Sequence, residues 1–324
     1  MHLRVLNAAD VRRALPMADA IAACRDAFLS LASGAIVAPP RVHLVEDDRT
    51  TLLMGASGGD AGRIAKVVNV FPGNRRRGAA VTSGIVLVID PETGETTGMC
   101  CGGTLTALRT GGVAGLATDL LARHDAKVGA LLGAGGQART QLLAMASVRE
   151  LTEVRIYAPR LTSVADFVEE MAPQVSCRLL AVKSSCEAVD GADIITAATA
   201  SHEPVFAGGD VGLGTHINGV GSFRLDMREM DQQTIGRCDR IVVDLRESAL
   251  HEAGELVAAE TAGATSSERW LELSALIVDP LLGRSSDQDI TLFKSVGHAV
   301  QDLFAGQRAI ANAEHLGLGQ IIEI

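Results

Sequence analysis

Two cations stand alone in apolar stretches of the chain. Lys66 is the one charge between Arg63 and Arg75, with Ile64, Val68 and Val70 on its own face of a strand-like run. A buried ammonium is costly unless it meets an anion, and desolvation lowers its pKa until it exchanges protons near neutrality. Its setting therefore suits anion binding or proton transfer. The alternative is an edge-strand lysine whose stem lies along apolar surface. Arg109 is the one charge between Thr104 and Thr118, with no acid three or four residues away. It needs a carboxylate, either on a ligand as a bidentate pair or on a distant Asp or Glu. Arg41 opens a run after Pro39-Pro40, and His43 alternates with it on one face. Alone, Arg41 reads as a surface residue and His43 as an ordinary half-buried histidine. His298, in SVGHAVQD, is a further pocket candidate.

A second kind of chemistry lies in VGALLGAGGQART at 128–140. Gly133-x-Gly135-x-x-Ala138 fits the dinucleotide fingerprint, with Gly136 and Gln137 inside the same turn. The first glycine permits the tight turn, the second lets backbone approach a pyrophosphate, and Ala138 keeps helix and strand close. The anion would sit at a helix N-terminus. The next strand ends in Ala158-Pro159-Arg160, without the acid expected for NAD. Arg160 there favours NADP over NAD by meeting a 2′-phosphate; the alternative is a solvated loop residue. Thr199 after DIITAA, and Val220-Gly221 after HING, mark further strand ends on the same edge.

The elements that must position these residues follow from patterning. Strand-like runs occur at 3–6, 41–46, 50–55, 63–71 and 83–90, with PETGE at 91–95 as a turn. Residues 16–33 read as a helix ending at Gly34, with Ile21, Phe28 and Leu31 on its apolar side. Short links predict a largely antiparallel sheet. From 104 to 123 the spacing of Leu105, Leu108, Leu116 and Leu120 predicts a helix leading into a second domain. Strands at 127–133, 153–157, 178–182, 193–198, 215–220 and 240–244 then alternate with helical segments. That alternation predicts a doubly wound parallel sheet of Rossmann type. DITLF at 289–293, a helix near 296–313 and a strand at QIIEI return the chain to the first domain, making it discontinuous. The expected division is 1–115 with 303–324, an α+β domain, against 116–302, the dinucleotide-binding domain.

Composition sets the outer bounds. A chain of 324 residues with 47% hydrophobic content is long enough for two cores. A formal charge of −10 disfavours nucleic acid as a partner. The basic run Arg75-Arg76-Arg77 reads as a solvated loop between Gly73 and Gly78. Six cysteines without a CxxC pair, and no metal-ligand spacing, predict neither disulfide framework nor metal site. The apolar stretch 105–122 is broken by Arg109 and Asp119, so no membrane span is expected. The absence of a basic-then-apolar leader predicts a cytoplasmic protein.

Taken in order, PPRVHL at 39–44, KVVNVFPGN at 66–74, LTALRTGGVAGLAT at 105–118, GAGGQA at 133–138, HINGVGS at 216–222, REMD at 228–231 and TLFKSVGHAVQD at 291–302 resemble the ornithine cyclodeaminase/mu-crystallin family. The resemblance implies a homodimer built through the split N-terminal domain. It also implies that Arg41, Lys66 and Arg109 bind a substrate carboxylate beside a nicotinamide, and it marks Asp302 as an acidic position near the domain junction. Cyclodeaminases of the family carry two further carboxylates, where this chain has Leu52 and Phe223. GSFRLDMRE is instead similar to the mu-crystallin and ketimine reductase branch, with Leu225 where that branch often has Pro.

The expected activity is NAD(P)H-dependent reduction of cyclic imino acids, Δ1-pyrroline-2-carboxylate or Δ1-piperideine-2-carboxylate, to L-proline or L-pipecolate. Lys66 is the expected catalytic group. The alternatives are an ornithine or lysine cyclodeaminase, an amino-acid dehydrogenase and an NADPH-dependent binding protein of mu-crystallin type.

Overall fold

The computed structural model describes residues 2–324, apart from the side chain of Arg75. The chain divides into two compact units, one running to Arg109 and resuming at Ala299–Ile324, the other Thr110–His298.

In the first unit, strands β1 (His2–Leu6), β2 (Val42–Glu46), β3 (Arg49–Ser57), β4 (Arg63–Val70), β5 (Thr82–Ile89) and β6 (Thr96–Cys101) join the C-terminal strand Gln320–Glu323 in one sheet. Its order is C-terminal strand, β1, β6, β5, β4, β3, β2. The β1–β6 pair is parallel and the others are antiparallel. Period-two alternation turns Ile64, Lys66 and Val68 of β4 inward and leaves Arg63, Ala65 and Val67 exposed. The C-terminal helix Ala299–His315 packs on the inner face of β3, β4 and β5. Two helices open the chain. Helix α1 (Ala8–Ala14) starts in a capping box of Asn7 and Asp10, and α2 (Met17–Ala32) packs against the C-terminal helix. The buried side of α2 is Met17, Ala20, Ala23, Cys24, Ala27 and Phe28, whereas Ile21 and Leu31 are half-buried. Phe28 is buried as the pattern predicts, and mostly small side chains fill the rest of that side. Arg76 and Arg77 are exposed in a short turn at Pro72–Arg77, and the Arg75 side chain lies outside the described residues.

Helix α3 (Gly102–Leu121) carries the chain from the first unit into the second. The second unit holds β7 (Val128–Leu132), β8 (Glu153–Tyr157), β9 (Arg178–Ala181), β10 (Ile194–Ala197), β11 (His216–Gly219), β12 (Arg240–Val243), β13 (Leu271–Glu272) and β14 (Thr291–Lys294). Their order is β13-β12-β14-β11-β10-β7-β8-β9, and every pair is parallel. Ala130 and Leu132 of β7 pack into one core and Leu131 into another, so both faces are covered. This is why the strand reads as a continuous apolar run. The chain leaves β7 through β8 and β9, then returns to β10 on its other side. That reversal is the switch point at which doubly wound sheets bind ligands. The fold is the Rossmann-type α/β architecture with a discontinuous α+β unit that the patterning predicts.

Among the described residues no helix is long and apolar enough to cross a membrane. The C-terminal helix begins at Ala299, not near 296. Asp244 explains the difference, because it accepts hydrogen bonds from Ser295 Oγ and from the backbone N–H groups of Val296 and Gly297. These bonds hold that stretch as a loop. His298 is buried at its end.

Candidate active site

The inner face of the first unit carries the cations. Strand β4 turns Lys66 inward, α3 supplies Arg109, and the first turn of the C-terminal helix supplies Gln301 and Asp302. Lys66 Nζ donates to Asp302 Oδ1 at 2.8 Å, with side chains 1% and 0% exposed. Arg109 Nε lies 3.3 Å from the same oxygen, and its Nη1 donates to Gln301 Oε1 at 2.6 Å. The carboxylate that Arg109 requires is thus a residue of the distant C-terminal helix. Burial lowers the Lys66 pKa to about 8; Asp302 opposes this shift, while Arg109 and Arg41 reinforce it. Burial would raise the Asp302 pKa, but the charges and hydrogen bonds of Lys66 and Arg109 together hold it below the usual carboxylate range. Arg41 is half-buried and close enough for its charge to act on Lys66.

The other inner-face candidates divide. His43 pairs with Leu52 across the β2–β3 ladder and shares the inner face, but it is exposed, not half-buried, because β2 is the edge strand. Leu52 is buried and Phe223, in the second unit, is half-buried. Neither offers a carboxylate.

In the second unit the glycine turn follows β7. Gly133 has φ +114, and a Cβ there would press against the Ala198 carbonyl, so only glycine fits between β7 and β10. Gly135 is the N-cap of α4 (Gly136–Val148) and makes no side-chain cap. Its position and that of Gly136 face open space, and Gln137 Oε1 is buried without a partner. Ala138 is fully buried against β7. Uncapped N–H groups beside open space fit a pyrophosphate. Arg139 locks the turn: it donates to the Gly135 carbonyl at 3.0 Å, pairs with Glu170 and lies 5.5 Å over the Phe167 ring. Arg160 is the exposed N-cap of α5 (Leu161–Met171), at the C-terminal end of β8.

Thr199 and Gly221 come together through a residue that the sequence did not single out for a role, while the Val220 N–H donates to the Ala197 carbonyl at 3.0 Å. Glu229 accepts from the Thr199 N–H at 2.6 Å and hydroxyl at 2.9 Å, and from the N–H groups of Gly221 at 2.7 Å and Ser222 at 3.1 Å. A Cβ at Gly221 would collide with Thr199 and Glu229. Below this clip, Ser222 donates to Glu255, and Lys294 Nζ reaches Ser222 O at 2.7 Å, Ser222 Oγ at 2.6 Å and Glu255 at 3.0 Å. Lys294 ends the apolar strand TLFK, the same signal that drew attention to Lys66. Among the described residues no cluster of His, Cys, Asp or Glu could hold a metal ion.

The ornithine cyclodeaminase/mu-crystallin family matches residues 1–314. A Δ1-pyrroline-2-carboxylate reductase from Bacillus cereus is 34% identical over 98% of this chain and 99% of its own. The Thermococcus litoralis Δ1-pyrroline-2-carboxylate reductase, solved with NADH and L-proline, is 33% identical. It superposes with a TM-score of 0.95 over 98% of this chain and 100% of its own. An archaeal alanine dehydrogenase dimer with bound NAD is 30% identical, with a TM-score of 0.91 over the full length of both chains. The chain belongs to the ornithine cyclodeaminase/mu-crystallin family.

Proposed function

We propose that this protein is an NAD(P)H-dependent reductase of cyclic imino acids, forming L-proline from Δ1-pyrroline-2-carboxylate and L-pipecolate from Δ1-piperideine-2-carboxylate. One observation carries the reading. Two buried cations, Lys66 and Arg109, share one carboxylate, Asp302, and the charge of Arg41 acts on Lys66. A ligand carboxylate suits such a cluster, because guanidinium groups take carboxylates in a bidentate manner. The similarity to two Δ1-pyrroline-2-carboxylate reductases supports the same substrate class.

When bound, the nicotinamide supplies a hydride for the imine carbon. Arg41 and Arg109 clamp the substrate carboxylate. Lys66 donates the proton that the ring nitrogen gains, becomes a neutral amine, and recovers a proton from water. A pKa of about 8 suits that exchange. Fixing both reactants contributes about 7–11 kcal/mol to lowering the barrier. Asp302 keeps a negative charge beside Lys66, which removes the repulsion a lone ammonium would exert on a protonated ring nitrogen.

Gly133, Gly135, Gly136, Gln137 and Ala138 would hold the pyrophosphate, and Thr199, Val220 and Gly221 the nicotinamide half. Arg160 favours NADP by offering its charge to a 2′-phosphate. Leu52 and Phe223 argue against cyclodeaminase chemistry, which needs groups that accept protons. A homodimer would cover the outer face of the first sheet. There Val42, Leu53, Val67 and Ile85 form one cross-strand row and are 52%, 39%, 36% and 41% exposed. Six unpaired cysteines suit a reducing compartment such as the cytoplasm.

The test follows NADPH and NADH absorbance with each preformed cyclic imine, in wild type and Lys66→Ala. Turnover by wild type, and its loss in a variant that still binds the dinucleotide, is the expected result. Ammonia release from ornithine or lysine without added reductant would instead assign the cyclodeaminase reaction.

A further inference from the structure

Two atoms beside the cation cluster have unused hydrogen-bonding capacity of opposite kinds. Asp302 Oδ2 is an acceptor and Gln301 Nε2 a donor, and both are buried without a partner. Their sister atoms are committed, Oδ1 to Lys66 and Arg109, and Oε1 to Arg109. The Gln301 amide cannot be turned over, because a guanidinium only donates and so fixes Oε1 toward Arg109. Buried polar atoms in native proteins nearly always find partners, and a carboxylate oxygen left without one is costly. Adjacent residues of one helix turn thus present a vacant acceptor and a vacant donor.

We propose that Asp302 is the recognition group for the substrate nitrogen, its Oδ2 accepting the ring N–H while Gln301 Nε2 donates to the ligand carboxylate. The assignment rests on the imino-acid reading above and deepens it. L-Proline as an ammonium carries two N–H groups on its ring nitrogen. One is the hydrogen received from Lys66; the other is the proton that the substrate carries on its nitrogen when it enters as the iminium, and it needs an acceptor. Lys66, Arg109 and Arg41 cannot serve, since charged cations only donate. The nearby Cys24 thiol is occupied, its Sγ donating to the Arg109 carbonyl at 3.3 Å. Asp302 Oδ2 is the carboxylate oxygen among these groups with capacity to accept. The cluster therefore selects for a carboxylate with a nitrogen beside it, and not for carboxylates at large.

The experiment compares two ring acids of the same shape and hand, L-proline and tetrahydrofuran-2-carboxylate, whose ring oxygen carries no hydrogen. Calorimetry on enzyme loaded with oxidised dinucleotide is expected to show L-proline binding at least about tenfold tighter, the scale of a hydrogen bond to a charged acceptor. Asp302→Asn should reduce that ratio to about threefold or less, while Gln301→Leu should weaken both ligands alike and leave the ratio intact. General damage to the unit would not change a ratio of two isosteres. Equal affinities in wild type overturn the assignment even if Asp302→Asn does not fold. A wild type that binds neither ring acid instead overturns the reading of the site itself.

Discussion

Each unit buries a lysine at the end of a chain of polar contacts, and the two clusters differ in whether that chain is closed. In the second unit Lys294 meets Ser222 O, Ser222 Oγ and Glu255, and Glu229 accepts four donors. Its charges are two carboxylates and one ammonium, and its contacts tie together the loops at Thr199 and Gly221. In the first unit the one hydrogen bond described for Lys66 goes to Asp302, whose second oxygen has no partner. Burial alone therefore does not mark a reactive lysine. We assign the closed cluster to the scaffold and the open one to the proposed ligand.

The largest effect expected on this contrast is at the open cluster. Lys66→Ala should lower kcat by about a thousandfold, within the usual range for a general acid, with dinucleotide affinity held. Steady-state rates alongside dinucleotide fluorescence would check this. At the closed cluster, Lys294→Met should act on stability, since breaking a buried pair costs about 3–5 kcal/mol. Denaturant unfolding of the variant is the measurement, and an unchanged midpoint would end the distinction.

Proton dependence gives the next effect. Lys66 must carry its proton to donate it, so kcat/KM should fall about tenfold per pH unit above its pKa of about 8. Stability should move the opposite way. The folded pKa lies below the unfolded value of 10.5, so the unfolded chain binds more protons between about 8 and 10.5. Lys66 then contributes a gain in stability as pH rises through that window. Rate profiles and unfolding at matched pH would reveal the crossing trends. The smallest effect concerns the exposed N-cap of α5. Arg160→Ala should reduce the preference for NADPH over NADH by about fivefold, in line with a partly solvated charge pair.

Much of this was legible in the sequence because periodicity and charge isolation are local signals. The glycine turn lay between an apolar run and a helical segment, and the alternation in β4 placed Lys66 on the buried side. What the sequence hid was pairing at long range. Nothing near Arg109 announces Asp302, and Glu229 sits in REMD without any local sign that four donors converge on it. Lys294 carried the same apolar-strand signal as Lys66 and belongs to the closed cluster, so that signal finds buried lysines without distinguishing their roles. On α2 the pattern found Phe28 but not the small residues Ala20, Ala23 and Ala27 that fill the rest of the buried side.

The most direct test is the affinity for L-proline, measured by calorimetry on dinucleotide-loaded Lys66→Met and Lys294→Met side by side. The account predicts that Lys66→Met loses at least about tenfold in L-proline affinity, while Lys294→Met is destabilised yet keeps wild-type affinity when folded. Retained L-proline binding in Lys66→Met, with loss in folded Lys294→Met, would contradict it.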